Sequence, residues 1–250
     1  MDTRGLGLTP IGFGAFKIGR NQGIKYPSGY DLPDEQRAER LLNGVLDLGI
    51  NYIDTAPAYG LSEERVGRAI AHRYHECVVS TKVGEEFEAG RSRHDFSSRG
   101  VRRSVERSLR RLRADVLDLV FVHCSRDDLR IVKETDVVPT LHALRDKGLV
   151  RRMGFSGYTD VAYRACLAWA DAVMVEYHLE NRALEPVIAE AAAGGVAIVV
   201  KKGLASGHLP AEDAIRFVLS HGQVSSMVIG GLDLEHMHEN LRVAREVRGK

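Results

Sequence analysis

Residues 150–200 read VRRMGFSGYTDVAYRACLAWADAVMVEYHLENRALEPVIAEAAAGGVAIVV, and this stretch decides the fold. Three short runs rich in β-branched and apolar residues, at 150–155, 172–176 and 196–200, alternate with two segments of helical length, 159–170 and 182–193. Pro186 sits where a first-turn proline is tolerated, and Gly194-Gly195 follow the second helical segment where a left-handed C-cap is expected. Each helix gives way to the next run within a few residues. That rhythm predicts parallel strands joined by right-handed helical crossovers.

The same rhythm extends in both directions. Runs at 11–13, 50–53, 77–80, 116–122 and 226–229 bring the strands to eight; segments at 34–48, 62–72, 97–113, 136–147, 210–221 and 233–247 bring the helices to eight. Ser62 and Ser97 are the expected N-caps of the second and third helices, and Val101, Val105, Leu109 and Leu112 mark the apolar face of the third. Pro210 is expected in a first turn and Gly148 at a C-cap. Eight βα units in 250 residues predict an α/β fold, a (β/α)8 TIM barrel forming a single domain over residues 1–250. The competing doubly wound sheet needs a Gly-rich turn leading straight into a helix. Gly12-Phe13-Gly14-Ala15-Phe16-Lys17 supplies only two of its glycines, and the next helix begins some twenty residues later. The longest irregular piece, 19–33 (GRNQGIKYPSGYDLP), is expected to lie over the top face.

Composition narrows the function. With 35 basic and 34 acidic residues the formal charge is +1, which lacks the sustained basic field of a nucleic-acid or membrane-surface binder. No apolar run is long enough to span a bilayer, and residues 1–5 carry no apolar leader. Cys77, Cys124 and Cys166 are odd in number and far apart, so neither a disulfide framework nor a zinc site is indicated. His208, His221, His236 and His238 have no metal-ligand spacing with a third ligand. The expectation is a metal-free protein of the reducing cytoplasm, a monomer or small homo-oligomer, with its basic third helix exposed.

In such a barrel the active site forms at the C-terminal ends of the strands. Asp54 ends the second run, Lys82 the third and His123 the fourth, while Tyr59 lies five residues past Asp54. A phenol titrates near pH 10, too high for ready proton donation, and an adjacent ammonium lowers that value. Lys82 is the expected ammonium, Asp54 its holder, and His123 a hydrogen-bond donor to a substrate oxygen. That set suits protonation of a developing alkoxide, hence carbonyl reduction with hydride from a cofactor. The structural alternative is a satisfied core ion pair between Asp54 and Lys82.

The stretch GINYIDTAPAYG (49–60), followed by Ser62-Glu63-Glu64 and Val66-Gly67, resembles the first signature of the aldo-keto reductase superfamily. Ser80-Thr81-Lys82, Ser108-Leu109-Arg110-Arg111-Leu112, and Asp118-Leu119 leading to His123 resemble the later ones, so the resemblance covers essentially the whole chain. It implies a tetrad of Asp54, Tyr59, Lys82 and His123 with Tyr59 as proton donor, a small-molecule carbonyl substrate, and NADP(H) bound in an extended pose. It implies cofactor contacts from Gly14, Ala15 and Phe16, from Asp54, and from Ser156. Gly157 stands in place of a carboxamide-binding Asn, Met174 in place of a Gln, and Lys201 in place of a stacking aromatic. Lys202, Gly203, Leu204 and Ser206 correspond to a pyrophosphate loop; Gly230, Gly231, Leu232, His236, Glu239 and Asn240 correspond to the adenosine end. Two adjacent lysines and nearby glycines after the last two strands also suit a diphosphate on physical grounds. The basic clamp for a 2′-phosphate is replaced by Gly230, Gly231 and His236, which leaves NAD(H) open beside NADP(H). A last helix running nearly to Lys250 predicts an open pocket and a broad carbonyl range. Two other functions compete: a Schiff-base lyase or aldolase using Lys82 or Lys201 as its amine, and a non-catalytic nicotinamide-binding regulator, suggested by Gly157, Met174 and Lys201.

Overall fold

The computed structural model describes residues 6–249, so the reading of residues 1–5 falls outside it. Its eight-stranded barrel is built from β1 (Ile11–Gly14), β2 (Tyr52–Asp54), β3 (Val78–Val83), β6 (Leu117–His123), β7 (Val150–Ser156), β8 (Ala172–Glu176), β9 (Ala197–Lys201) and β10 (Ser226–Ile229). These strands pair in parallel in the order β1-β10-β9-β8-β7-β6-β3-β2, and β2 closes onto β1. Around them lie α1 (Glu35–Asp47), α2 (Ser62–Ile70), α3 (Ser98–Leu112), α5 (Val137–Asp146), α6 (Asp160–Cys166), α7 (Glu185–Ala193), α8 (Ala211–Ser220) and α9 (Leu234–Arg248).

Strand alternation separates two cores. Val120, Val122, Ile198 and Val200 belong to the large cluster packed under the helices. Tyr52, Leu119, Phe121, Ala172, Met174, Ala197 and Val199 form a separate cluster that fills the barrel. The interior accepts Tyr52 and Phe121 because glycines face them. A Cβ at Gly12 would lie 2.4 Å from Tyr52 Cδ1, and one at Gly154 2.4 Å from Phe121 Cδ1. Since successive side chains alternate, the next inward positions along the strands are Gly14, Asp54, Lys82, His123, Ser156 and Lys201.

Two elements escape the sequence periodicities, and both interrupt top-face loops. A hairpin of β4 (Glu85–Glu88) and β5 (Arg91–His94) follows β3, and α4 (Asp128–Glu134) follows β6. The hairpin strands, EEFE and RSRH, are largely charged and show no buried face. Their turn puts Ala89 at φ 49° and Gly90 at φ 77°, a left-handed pair usually announced by Asn-Gly or Asp-Gly. α4 is a single short segment whose charged residues hide its period.

Caps also differ in detail. Ser97 accepts from Gly100 N as expected. Ser62 instead begins the helix, with Leu61 at the N-cap. Its hydroxyl donates to Ala15 O at 2.8 Å and accepts from Thr55 Oγ1 at 2.8 Å, a tertiary tie between β1 and β2 rather than a cap. Pro210 occupies the N-cap position, and the left-handed residue of Gly194-Gly195 is Gly195, at φ 71°. No helix among the described residues is long and apolar enough to cross a membrane.

Gly154→Ala forces a methyl against the Phe121 ring and to within 2.9 Å of Ala172 O. It is expected to cost about 1–3 kcal/mol. Urea unfolding of the variant beside the parent checks this, and an unchanged midpoint would contradict the packing argument.

Candidate active site

Asp54, Lys82, His123, Ser156 and Lys201 line one cavity of about 540 Å3 together with Tyr59. Lys82 is buried, and its ammonium donates to Asp54 Oδ1 at 2.7 Å, to Asp54 Oδ2 at 2.8 Å and to Thr55 O at 2.8 Å. Ser80 Oγ also donates to Asp54 Oδ1, at 2.7 Å, and Tyr52 donates to Ser80 Oγ at 2.9 Å. The carboxylate oxygens are therefore satisfied in a dry setting by three hydrogen bonds from two donor groups, Lys82 Nζ and Ser80 Oγ. Burial pulls the Lys82 ammonium below its ordinary value, and Asp54 opposes that pull.

Tyr59 ends a 3-10 turn, Pro57–Tyr59, that leaves β2. Its ring packs edge-on against Phe16 with centroids 5.0 Å apart, and Lys82 Nζ lies 4.7 Å from its centroid. The Tyr59 hydroxyl makes no hydrogen bond to any described residue. Burial pushes the phenol well above 10, and the carboxylates of Asp54 and Glu85 add to the effect. Lys82 does not hydrogen-bond the phenol, because all three ammonium hydrogens are already directed at Asp54 and Thr55, and its field is outweighed by burial.

Glu85, the first residue of the hairpin, is a site residue that sequence reasoning missed. Its Oε2 lies 2.9 Å from His123 Nδ1, an ion-pair distance without hydrogen-bond alignment. Ser92 Oγ, across the hairpin, donates to Glu85 Oε1 at 2.6 Å. Burial raises the Glu85 carboxyl, but His123 and Ser92 outweigh it and hold the group at about 2. Burial lowers His123, against the pull of Glu85. A carboxylate this close selects the tautomer with hydrogen on Nδ1, which leaves Nε2 an acceptor in the neutral ring and a donor in the imidazolium.

Loops line the rim of the mouth. Residues 19–33 cross the top face, as expected, and Ile24, Lys25 and Tyr26 line the cavity. Arg20 ties this segment to both neighbours: its guanidinium lies 3.2 Å from the Phe87 ring centroid and donates to Ala58 O at 3.0 Å. Arg107 anchors the hairpin to α3 through Glu86 at 2.9 Å.

The remaining predicted positions divide into two groups. Gly14, Phe16, Met174, Lys202, Gly203, Leu204, Ser206 and Gly230 line the cavity. Ala15 is buried beneath it, and Gly231, Leu232, His236, Glu239 and Asn240 lie outside it. Glu239 is engaged with Arg242 at 2.6 Å. Lys202 is not a free cation, because its ammonium bonds Glu176. Lys202, Ala205 and Ser206 have left-handed backbone (φ 54°, 45° and 61°), a concentration of strain beside the cavity of the kind found at ligand sites. Lys201 Nζ donates to Ser156 Oγ at 2.9 Å and to Gly157 O at 3.1 Å. The glycines and lysines of this edge fit an anionic dinucleotide on chemical grounds. No cluster of three potential metal ligands occurs among the described residues.

A sequence profile of the Aldo/keto reductase family matches residues 10–213. The chain belongs to that family. The barrel is similar to PA4992 of Pseudomonas aeruginosa, itself assigned as an aldo-keto reductase, with 44% identity and a TM-score of 0.89 over 98% of this chain and 92% of that one. It is also similar to the holo form of aldo-keto reductase AKR11C1 from Bacillus halodurans, with 25% identity and a TM-score of 0.80 over 97% and 92% of the two chains. Among curated sequences, L-galactose dehydrogenase of Arabidopsis thaliana is 26% identical over 97% of this chain and 86% of its own length. In this aldo/keto reductase the Glu85–His123 contact is open to direct measurement. Glu85→Gln removes the anion that favours imidazolium, so the His123 resonance is expected to titrate at lower pH than in the parent. An NMR pH titration checks this, and an upward or absent shift would refute the coupling.

Proposed function

We propose that the protein reduces aldehyde or ketone carbonyls to alcohols with NAD(P)H, and that Tyr59 is the proton donor. The observation that carries this reading is the convergence of Tyr59, Lys82, Asp54 and His123 on one cavity, with the phenol hydroxyl unpaired at its wall. A bound nicotinamide supplies the hydride. Ser156, Met174 and Lys201 would hold the nicotinamide end, and Gly203, Leu204, Ser206 and Gly230, which line the same cavity, would take the diphosphate. NADP(H) is the dinucleotide expected by family, with NAD(H) as the competing form to be compared directly. The whole chain acts as one catalytic domain.

Tyr59 keeps its proton throughout the physiological range because burial holds the phenol high. An alkoxide is a stronger base than phenolate, so proton transfer is downhill once negative charge reaches the substrate oxygen. Lys82, kept charged by Asp54, stabilises the phenolate left behind through its field. Imidazolium at His123 donates from Nε2 to the carbonyl oxygen, while the Glu85 carboxylate beside Nδ1 favours the charged ring.

Fluorescence titration with NADPH and NADH, followed by a carbonyl panel with the tighter cofactor, tests the activity. Tyr59→Phe is expected to lower turnover by about 10^2–10^4-fold and to leave cofactor affinity nearly unchanged. Near-parental turnover in that variant would rule out the mechanism. The pH dependence follows from His123, which burial places below its ordinary value. Carbonyl reduction should accelerate as pH falls through that value, because Nε2 gains its hydrogen. A profile that stays flat from the ordinary imidazole value of about 6.5 down to the acid limit of the folded protein would remove His123 from the donor role.

A further inference from the structure

Five lysines line the cavity: Lys17, Lys25, Lys82, Lys201 and Lys202. Four of them have an evident occupation or exposure. Lys82 is held by Asp54, and Lys202 by Glu176. The Lys17 ammonium rests on the faces of Tyr26 and Tyr30, at 4.3 and 5.3 Å, and Lys25 is exposed. Lys201 is different. It points inward from the end of β9, its amine lies 5.5 Å from the Tyr158 ring centroid, and both acceptors of its hydrogen bonds, Ser156 Oγ and Gly157 O, are neutral. No carboxylate among the described residues lies within ion-pair distance of its amine. Its nearest carboxylate in strand register, Glu176, is taken by Lys202.

We propose that Lys201 is an amine site for aldehydes, whose Nζ condenses with an aldehyde carbonyl inside the cavity of the cofactor-free protein to form an imine. A desolvated lysine next to other cations is the setting that turns an ammonium into a nucleophile. Burial, with the Lys202 and Lys82 cations close by, outweighs the opposing pull of Glu176 and brings the amine down to about 8. Roughly a quarter of it is then neutral near pH 7.5, against about one part in a thousand for an ordinary lysine. The nitrogen lone pair adds to the carbonyl carbon, a proton passes from nitrogen to oxygen, and water leaves. One amine and one aldehyde give one imine and one water, with no change of oxidation state. Lys82 does not compete, because its three hydrogens and its charge are fixed by Asp54 and Thr55. Of the two amines that a Schiff-base chemistry in this barrel would consider, only Lys201 meets the requirement.

The proposal stands apart from the reductase reading and is tested without cofactor. The full chain is incubated with benzaldehyde and cyanoborohydride, and benzylated lysines are located by peptide mass mapping. Lys201 is expected to label on the order of tenfold faster than the exposed Lys133 and Lys147 near pH 7.5. Its rate should level off above about pH 9 while theirs continue to rise. Lys201→Arg, which keeps the cation, and Lys201→Met, which keeps the length, should both lose this fast label, with circular dichroism confirming their fold. Labelling of Lys201 no faster than that of Lys133 and Lys147 overturns the proposal. Carbonyl turnover with NADPH but no fast label would defeat this proposal alone; a fast label without any turnover would sustain it and defeat the reductase reading.

Discussion

A fully buried ammonium is tolerable only beside a carboxylate that is itself satisfied, and the Lys82–Asp54 pair at the barrel mouth meets that condition. Asp54 is supported from below by Ser80, which is supported in turn by Tyr52. Tyr52 fits in the barrel because position 12 has no side chain. The pair therefore depends on interior packing one layer down, and the site depends on the pair. The third hydrogen of Lys82 reaches Thr55 O and fixes the start of the segment that carries Tyr59. The phenol consequently stands beside a charged lysine without hydrogen-bonding it, and its proton remains available at the cavity wall.

The rim rests on a second set of constraints. Arg20 joins residues 19–33 to Phe87 of the hairpin and to Ala58 of the Tyr59 turn. Tyr30 donates to Arg20 O and closes the segment on itself. These contacts hold internal loops along the rim of the cavity. The hairpin in turn brings Glu85 to His123.

Legibility in the sequence followed the strength of periodicity. The barrel strands alternate cleanly because each has one face under a helix and one in the interior, and their ends fall within a few residues of the expected positions. Given that alternation, Asp54, His123 and Lys201 lie two residues beyond the apolar interior residues Tyr52, Phe121 and Val199, and Lys82 two beyond the buried Ser80, so their convergence could be read from spacing. Glu85 could not. It sits in a charged hairpin whose strands bury no face, and the Ala89-Gly90 turn lacks the usual Asn or Asp. Ser62 looked like a cap because local sequence does not reveal that Ala15 O and Thr55 Oγ1 are waiting for its hydroxyl. The partner of Lys202 was equally hidden, because Glu176 reaches it only across the β8–β9 register.

That register also explains why one cavity holds two inward-facing lysines in different electrostatic states. On the β2–β3 side, Asp54 is paired with Ser80 in register, one inward step from Lys82, and no other cation claims it. On the β8–β9 side, Glu176 is paired with Lys201 in register, but the left-handed backbone of Lys202 sends the adjacent ammonium to that carboxylate instead. The first arrangement stabilises a permanent charge. The second leaves an amine among neutral acceptors and neighbouring cations, where the ammonium is less favoured than in an ordinary lysine. An exchange of partners, with Glu176 bonded to Lys201 in place of Lys202, would place a carboxylate beside the Lys201 amine and favour its ammonium, as Asp54 does for Lys82.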